Sequence, residues 1–174
     1  SVIINFTNIT IMNGGNISGG NISIYAGNLT IESGAMIFTK ELGYKNSTGP
    51  GKGTGDGTRG SGAAHGGKGG IGSYGAAGGT AYDSSIYPRD FGSGGGSSNI
   101  DANAVAGFGG GIVLFNIADI FNLTGSINSN GGDYGALAIR EGGGSGGTIY
   151  ANTRAFVGSG SFSAVSSYKL ETVD

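Results

Sequence analysis

Over residues 1–39 apolar and polar positions alternate in short runs broken by glycine. Asn21-Ile22-Ser23-Ile24 and Asn28-Leu29-Thr30-Ile31 keep the period of two that turns one face of a strand inward. Gly14-Gly15, Gly19-Gly20, Gly27 and Gly34 interrupt the pattern, so the strands it predicts are about four to six residues long. No stretch keeps a helical period, and very little helix is expected.

The pattern also repeats. Gly111–Asn128 reads GIVLFNIADIFNLTGSIN, and about thirty-five residues later comes GTIYANTRAFVGSGSFS. That offset sets Leu114 on Ile149, Phe115 on Tyr150, Phe121 on Phe156, Gly125 on Gly160 and Ile127 on Phe162. Ile22–Phe38 fits the same outline with one residue inserted. The three copies predict an all-β fold, a parallel β-solenoid of the β-helix kind whose coils bury one another's apolar faces. A β-sandwich is the alternative, because short strands with frequent breaks suit it too.

Between the strand-like regions lies Gly49–Gly111, a belt of glycines. The 174 residues read as a single domain: sequon-rich strands over 1–48, the glycine-rich belt over 49–111 and repeated β coils over 112–174. Charged residues make up only 11% and eight Tyr and eight Phe are spread along the chain, unlike a disordered sequence. The belt is therefore read as a long excursion packed on the body, with a flexible loop as the alternative. Gly49, Gly51, Gly53, Gly55 and Gly57 alternate strictly, so an extended chain would present them on one face to a neighbouring backbone. Tyr74, Tyr82, Ile86, Tyr87 and Phe91 are its expected anchors, and Tyr87-Pro88-Arg89-Asp90 reads as a turn.

Charge narrows the partners. The formal net charge is −2 and the nine basic residues are scattered, which argues against nucleic acid. No apolar run approaches the roughly 18 residues of a membrane span. Ser1-Val2-Ile3-Ile4 already reads as a strand, with no signal peptide ahead of it; a secreted origin implies a mature or excised piece. Cysteine is absent, which excludes disulfides and thiolate metal sites.

The strongest chemical signal is N-glycosylation. Asn-x-Ser/Thr without an intervening Pro occurs at Asn5, Asn8, Asn16, Asn21, Asn28, Asn46 and Asn122, mostly in the first thirty residues. On a strand the Asn and its hydroxyl residue share a face and the middle residue points inward. At Asn16, Asn21, Asn28 and Asn122 that residue is Ile or Leu. Asn5 and Asn8 have opposite parity, so a bulge must intervene or one stays unused. Glycans at several of these sites are expected, and with them an extracellular or cell-surface location.

Catalytic constellations are weak. His65 is the only histidine, so there is no His-pair metal site; it is read as capping a turn or bonding a carbonyl. Asp83, Asp90, Asp101 and Glu141 have no spacing that pairs them for glycoside cleavage. Gly142–Gly147 lacks a phosphate-loop lysine and precedes the strand-like Thr148-Ile149-Tyr150. No enzyme activity, cofactor or metal is expected.

In chain order come HGG (His65–Gly67), YG (Tyr74-Gly75), Tyr87-Pro88, GSGGGSS (Gly92–Ser98), GGGI (Gly109–Ile112), LTGSINSNGGD (Leu123–Asp133) and GGGSGGTI (Gly142–Ile149). This order resembles large glycine-rich secreted or cell-surface proteins of plants, oomycetes and other protists that carry β-solenoid-like repeats. The resemblance covers residues 24–165 and is most specific in GGGSGGTI followed by GSGSFSA. It implies a right-handed β-solenoid-like core and an extracytoplasmic location, with no catalytic residues to carry over. The chain departs from the family in being one short unit and in its density of sequons.

The expectation is a structural glycoprotein that self-associates into a homopolymer, such as a filament, surface hair or coat. Val2-Ile3-Ile4 lacks the charge or Pro that blunts a sheet edge, whereas Lys169 in Tyr168-Lys169-Leu170 could blunt one. The alternative is a carbohydrate-binding or carbohydrate-cleaving solenoid using Tyr82, Tyr87 and Tyr134. An ice-binding face would need a Thr-x-Thr ladder that the sequence lacks.

Overall fold

The computed structural model describes residues 1–72, 75–98, 105–133 and 141–167. The alternating runs form strands: β1 (Val2–Ile11), β2 (Asn16–Ser18), β3 (Asn21–Ile31), β4 (Met36–Phe38), β5 (Ile112–Leu123), β6 (Ser126–Asn128), β7 (Thr148–Val157) and β8 (Ser161–Ser163). The long strands make one four-stranded sheet in the order β1-β3-β5-β7, and the short ones a second, β2-β4-β6-β8. Every pairing between these strands is parallel, unlike the antiparallel ladders of an immunoglobulin-type sandwich. Among the described residues there is no helix.

Each long strand with the short strand after it adds one rung to both sheets, and the register stacks like on like. Ile9, Leu29, Phe121 and Phe156 form one column, and Ile17, Ile37, Ile127 and Phe162 another. Val2, Ile22, Val113 and Ile149 form a third. In the two middle rungs these side chains are fully buried, and Ile24, Ile31, Phe115, Ile117 and Leu123 complete the core.

Two details of the repeat differ from the sequence reading. Phe121 does pair with Phe156 and Ile127 with Phe162, but Leu114 pairs with Tyr150 and Phe115 with Ala151, one residue later than expected. A bulge between Ile117 and Ile120 absorbs the difference. A fourth copy also precedes the three: β1-β2 stands at a constant offset of 20 residues from β3-β4, so that Asn8-Ile9-Thr10-Ile11 lies on Asn28-Leu29-Thr30-Ile31.

The glycine belt is ordered and packed. Gly92 and Gly95 donate to the carbonyls of Gly110 and Gly107, both at 2.9 Å. Gly107 and Gly110 donate in turn to Gly142 and Ser145, also at 2.9 Å, and Gly144 and Gly147 donate to Gly132 (3.0 Å) and Ser129 (2.8 Å). Each pair of bonds is three residues apart, the period of a polyproline II-type chain, which has no internal hydrogen bonds and turns its groups outward. Residues 92–96 bond to 44–53 on one side, 107–110 on another and 142–145 on a third; a sheet strand has only two neighbours. The layer therefore recruits 129–133 and 141–147, which the sequence reading assigned to the repeated coils.

Only glycine permits this spacing at the crossings. A Cβ on Gly53 would stand 2.2 Å from the Ser61 oxygen, and one on Gly55 would stand 1.8 Å from the Ser97 oxygen. Gly51, Gly53 and Gly55 thus mark close backbone approach, as their spacing implies, whereas Gly49 and Gly57 take positive φ, the first facing the Ser93 and Tyr44 side chains and the second open space.

The anchors are fewer than expected. Tyr82 is half-buried against Gly51, and Phe91 meets Tyr44 edge-on with centroids 5.8 Å apart. Ile86 and Tyr87 are 69% and 60% exposed and anchor nothing in the belt, because their loop is held by polar bonds. Tyr74 lies outside the described residues.

Candidate functional site

Asn5, Asn8 and Asn16 are exposed, while Asn21, Asn28, Asn46 and Asn122 are half-buried. The middle residues Ile22, Leu29 and Leu123 are fully buried and Ile17 is partly buried against the core, so an outward Asn stands over an inward aliphatic side chain. Ala26 and Leu29 both face the core with Gly27 and Asn28 between them, a bulge that β1 follows in register through Phe6 and Ile9. That bulge resolves the parity conflict: Asn5 and Asn8 are both exposed. Asn8 and Asn28 are also neighbours, with the Asn28 Nδ2 donating to the Asn8 Oδ1 at 3.0 Å. The Asn28 Oδ1 accepts from the Ile120 amide at 3.2 Å, and the Asn21 Oδ1 is buried without a partner.

The polar bonds of the belt converge on Asp83. Its carboxylate accepts from the amides of Ser84 (2.7 Å), Arg89 (2.9 Å) and Asp90 (2.9 Å), and it meets the His65 Nε2 at 3.1 Å. Asp83 itself has φ 67°, a left-handed conformation in which its side chain turns onto the following loop. His65 therefore braces a carboxylate, where its sequence context had suggested a turn cap or a bond to a carbonyl. Tyr82 beside it donates to the Phe91 carbonyl and accepts from the Ser93 Oγ at 2.8 Å. Burial pushes the Tyr82 phenol up to about 12 despite the Ser93 hydrogen bond. The Tyr82 hydroxyl is thus engaged inside the protein. Glu141 accepts from the Ser98 amide at 2.8 Å and takes its hydroxyl as well, so its partners differ from those of Asp83. Asp101 and Tyr134 lie outside the described residues, as does Tyr168-Lys169-Leu170. Among the described residues no cluster of His, Asp and Glu is arranged to hold a metal ion.

Burial alone would raise the Asp83 carboxyl, but the amides of Asp90, Ser84 and Arg89 and the His65 ring outweigh it and hold it below its ordinary 3.8. A depressed carboxylate contributes stability that is present above the unfolded-state value and lost as the pH falls through the lower folded-state value. Relative to intrinsic exchange rates, the protection of the Ser84, Arg89 and Asp90 amides should accordingly hold above pH 3.8 and fall below it. Asp83→Asn should lose that protection at every pH, at a cost of about 1–3 kcal/mol for the unmade bonds. Protection unchanged by the substitution would remove Asp83 as the clasp.

The two ends of the stack are the other notable surfaces. Among the described residues β1 and β2 pair on one side only, and so do β7 and β8. Ile3, Phe6 and Met12 are exposed at the first end, and Phe156, Val157, Phe162 and Val165 at the other. A cavity of about 750 Å³ opens over the last rung, between Ile149, Ala151 and Phe162 on one side and His65, Lys68 and Ser84 on the other. Ile149, Ala151 and Phe162 in its lining belong to the last strands, β7 and β8. Comparison of the chain with protein-family models, curated proteins and solved structures found no match.

Proposed function

We propose that the chain is a structural glycoprotein of parallel β-solenoid type that joins end to end, as a subunit of an extracellular filament, surface hair or coat. The observation that carries this reading is that the open ends continue the interior columns. If a second copy adds its β1 and β2 to the β7 and β8 of the first, its Val2, Ile9 and Ile17 fall on Ile149, Phe156 and Phe162 in the register used within the chain. Edge strands with unpaired backbone groups invite such addition unless a charge or Pro blunts them. β1 carries neither. The one charge on β7, Arg154, is drawn sideways to Asp119, with its Nε at 2.7 Å from the Oδ1.

N-linked glycans on Asn5, Asn8 and Asn16 would stand on the outer faces and oppose lateral association while leaving the column ends free. Expressed in a glycosylating secretory host, the chain should lose the mass of several glycans on enzymatic deglycosylation; an unchanged mass removes the glycoprotein part.

The assembly part is read by light scattering and negative-stain electron microscopy. Wild-type chain should form linear particles whose length grows with concentration. Phe162→Lys should weaken association about tenfold or more, since burying a phenylalanine is worth roughly 1.5–3 kcal/mol. A wild-type chain that stays monomeric at all concentrations overturns it.

A further inference from the structure

The outer face of the long-stranded sheet carries a groove that the end-to-end reading does not use. It has a volume of about 260 Å³ and is lined by Tyr25, Tyr87, Arg89, Leu114, Asn116, Tyr150 and Asn152, with Phe115 below. The sheet register assembles it: Tyr25, Asn116 and Asn152 are lateral neighbours on β3, β5 and β7, and Leu114 lies beside Tyr150. Tyr87 closes the groove from the loop, its ring 6.1 Å from that of Tyr150 at 52°.

The loop is fixed before any ligand arrives. The Asp83 carboxylate holds the amides of Arg89 and Asp90, and the Ser84 Oγ accepts from the Tyr87 amide at 3.0 Å. The Thr148 Oγ1 donates to the Asp90 carbonyl at 2.8 Å, tying the far end to β7. Fixing Tyr87 and Arg89 in this way reduces the entropy lost when something binds. Tyrosine supplies a broad rigid contact at little rotamer cost, and asparagine supplies adaptable hydrogen bonds.

We infer that this groove binds an acidic sugar, a pyranose ring bearing a carboxylate within an oligosaccharide. Pyranose C–H faces lie against tyrosine rings, and ring hydroxyls find donors and acceptors in Asn116 and Asn152. The charge follows from the lining: Arg89 is exposed, and among the described residues no Asp or Glu lines the groove. A guanidinium matches a carboxylate with two parallel hydrogen bonds. The volume falls below the roughly 300–1,000 Å³ of pockets that enclose a drug-sized ligand. It therefore suits one ring, with the flanking rings lying along the sheet.

The inference is independent of end-to-end assembly and of glycan occupancy. It is tested on the chain made in a host that adds no N-glycans, so that no sugar on Asn5, which pairs with Tyr25, fills the groove. Isothermal titration compares trigalacturonate with the neutral galactose trisaccharide of the same linkage. The acidic trisaccharide should bind about tenfold or more tightly than the neutral one, an advantage that falls with added salt. Arg89→Gln should lower acidic affinity to the level of the neutral sugar. Tyr87→Ala should weaken both about tenfold. Both side chains are exposed, so melting temperatures should match the wild type. Absence of binding by either sugar at millimolar concentration overturns the site, as does binding unaffected by Tyr87→Ala. Equal affinity for the two sugars overturns the acidic specificity.

Discussion

Gly109→Ala should cost at least about 3 kcal/mol of stability, beyond the usual range of 1–3 kcal/mol for overpacking. A Cβ at this position would stand 1.7 Å from the Gly92 carbonyl oxygen and 2.1 Å from its carbon, and both are backbone atoms with no rotamer to change. Separating the two segments to make room breaks bonds on both sides. Gly109 donates to the Tyr44 carbonyl at 2.8 Å and accepts from the Gly43 amide at 2.8 Å, while Gly92 donates to the Gly110 carbonyl at 2.9 Å. Each buried group left unpaired adds about 1–3 kcal/mol. Gly66→Ala is the control, since nothing lies within 4 Å of a Cβ there. It should fall within about 0.5 kcal/mol of wild type, as exposed substitutions usually do. Urea unfolding followed by tyrosine circular dichroism compares the two. Equal, small effects would mean that the glycine layer is not a packed part of the fold.

The difference between these two glycines was not legible in the sequence. Both sit beside another glycine, and what separates them is the segment lying opposite. The inward positions were legible because period-two alternation is local: Ile22, Leu29 and Leu123 are buried where the pattern puts them. Strand length was not: in place of strands of about four to six residues, the chain forms strands of 10 to 12 residues and of 3, because Gly27 sits in a bulge inside β3 and does not end it. The glycine layer was only half legible. Alternation from Gly49 to Gly57 implied close approach, but the three-residue spacing of hydrogen bonds between distant segments leaves no local trace. The 20-residue repeat of β1-β2 in β3-β4 could have been found, because NITI and NLTI stand at that offset; reading them as sequons obscured them as a structural repeat. The tyrosine groove depends on register across three strands and on a loop clasped by Asp83. Of its aromatics, only Tyr87 is nominated for sugar by the sequence, and His65, which reads there as a turn cap or a partner of a carbonyl, carries no sign of its pairing with Asp83.

Phe121→Ala should destabilise the chain by about 3–5 kcal/mol, the usual result of emptying a buried phenylalanine site. Phe121 is fully buried and lies in a column between Leu29 and Phe156. Its ring is 4.7 Å from Phe115, 5.3 Å from Phe156 and 6.3 Å from Phe162, the last two edge-on. A domain holds only about 5–15 kcal/mol in total, so the urea midpoint should fall steeply while the slope stays unchanged. Phe156 occupies the next position of the same column but is 48% exposed, because no rung covers it. In dilute monomer, then, Phe156→Ala should cost clearly less than Phe121→Ala. The comparison also tests the end-to-end reading: once a second copy lays Ile9 over Phe156, that residue becomes interior, and its truncation should cost assembled material as much as Phe121→Ala costs the monomer. A Phe156→Ala penalty that is the same in dilute and concentrated wild-type-like conditions would place the contact surface elsewhere on the molecule.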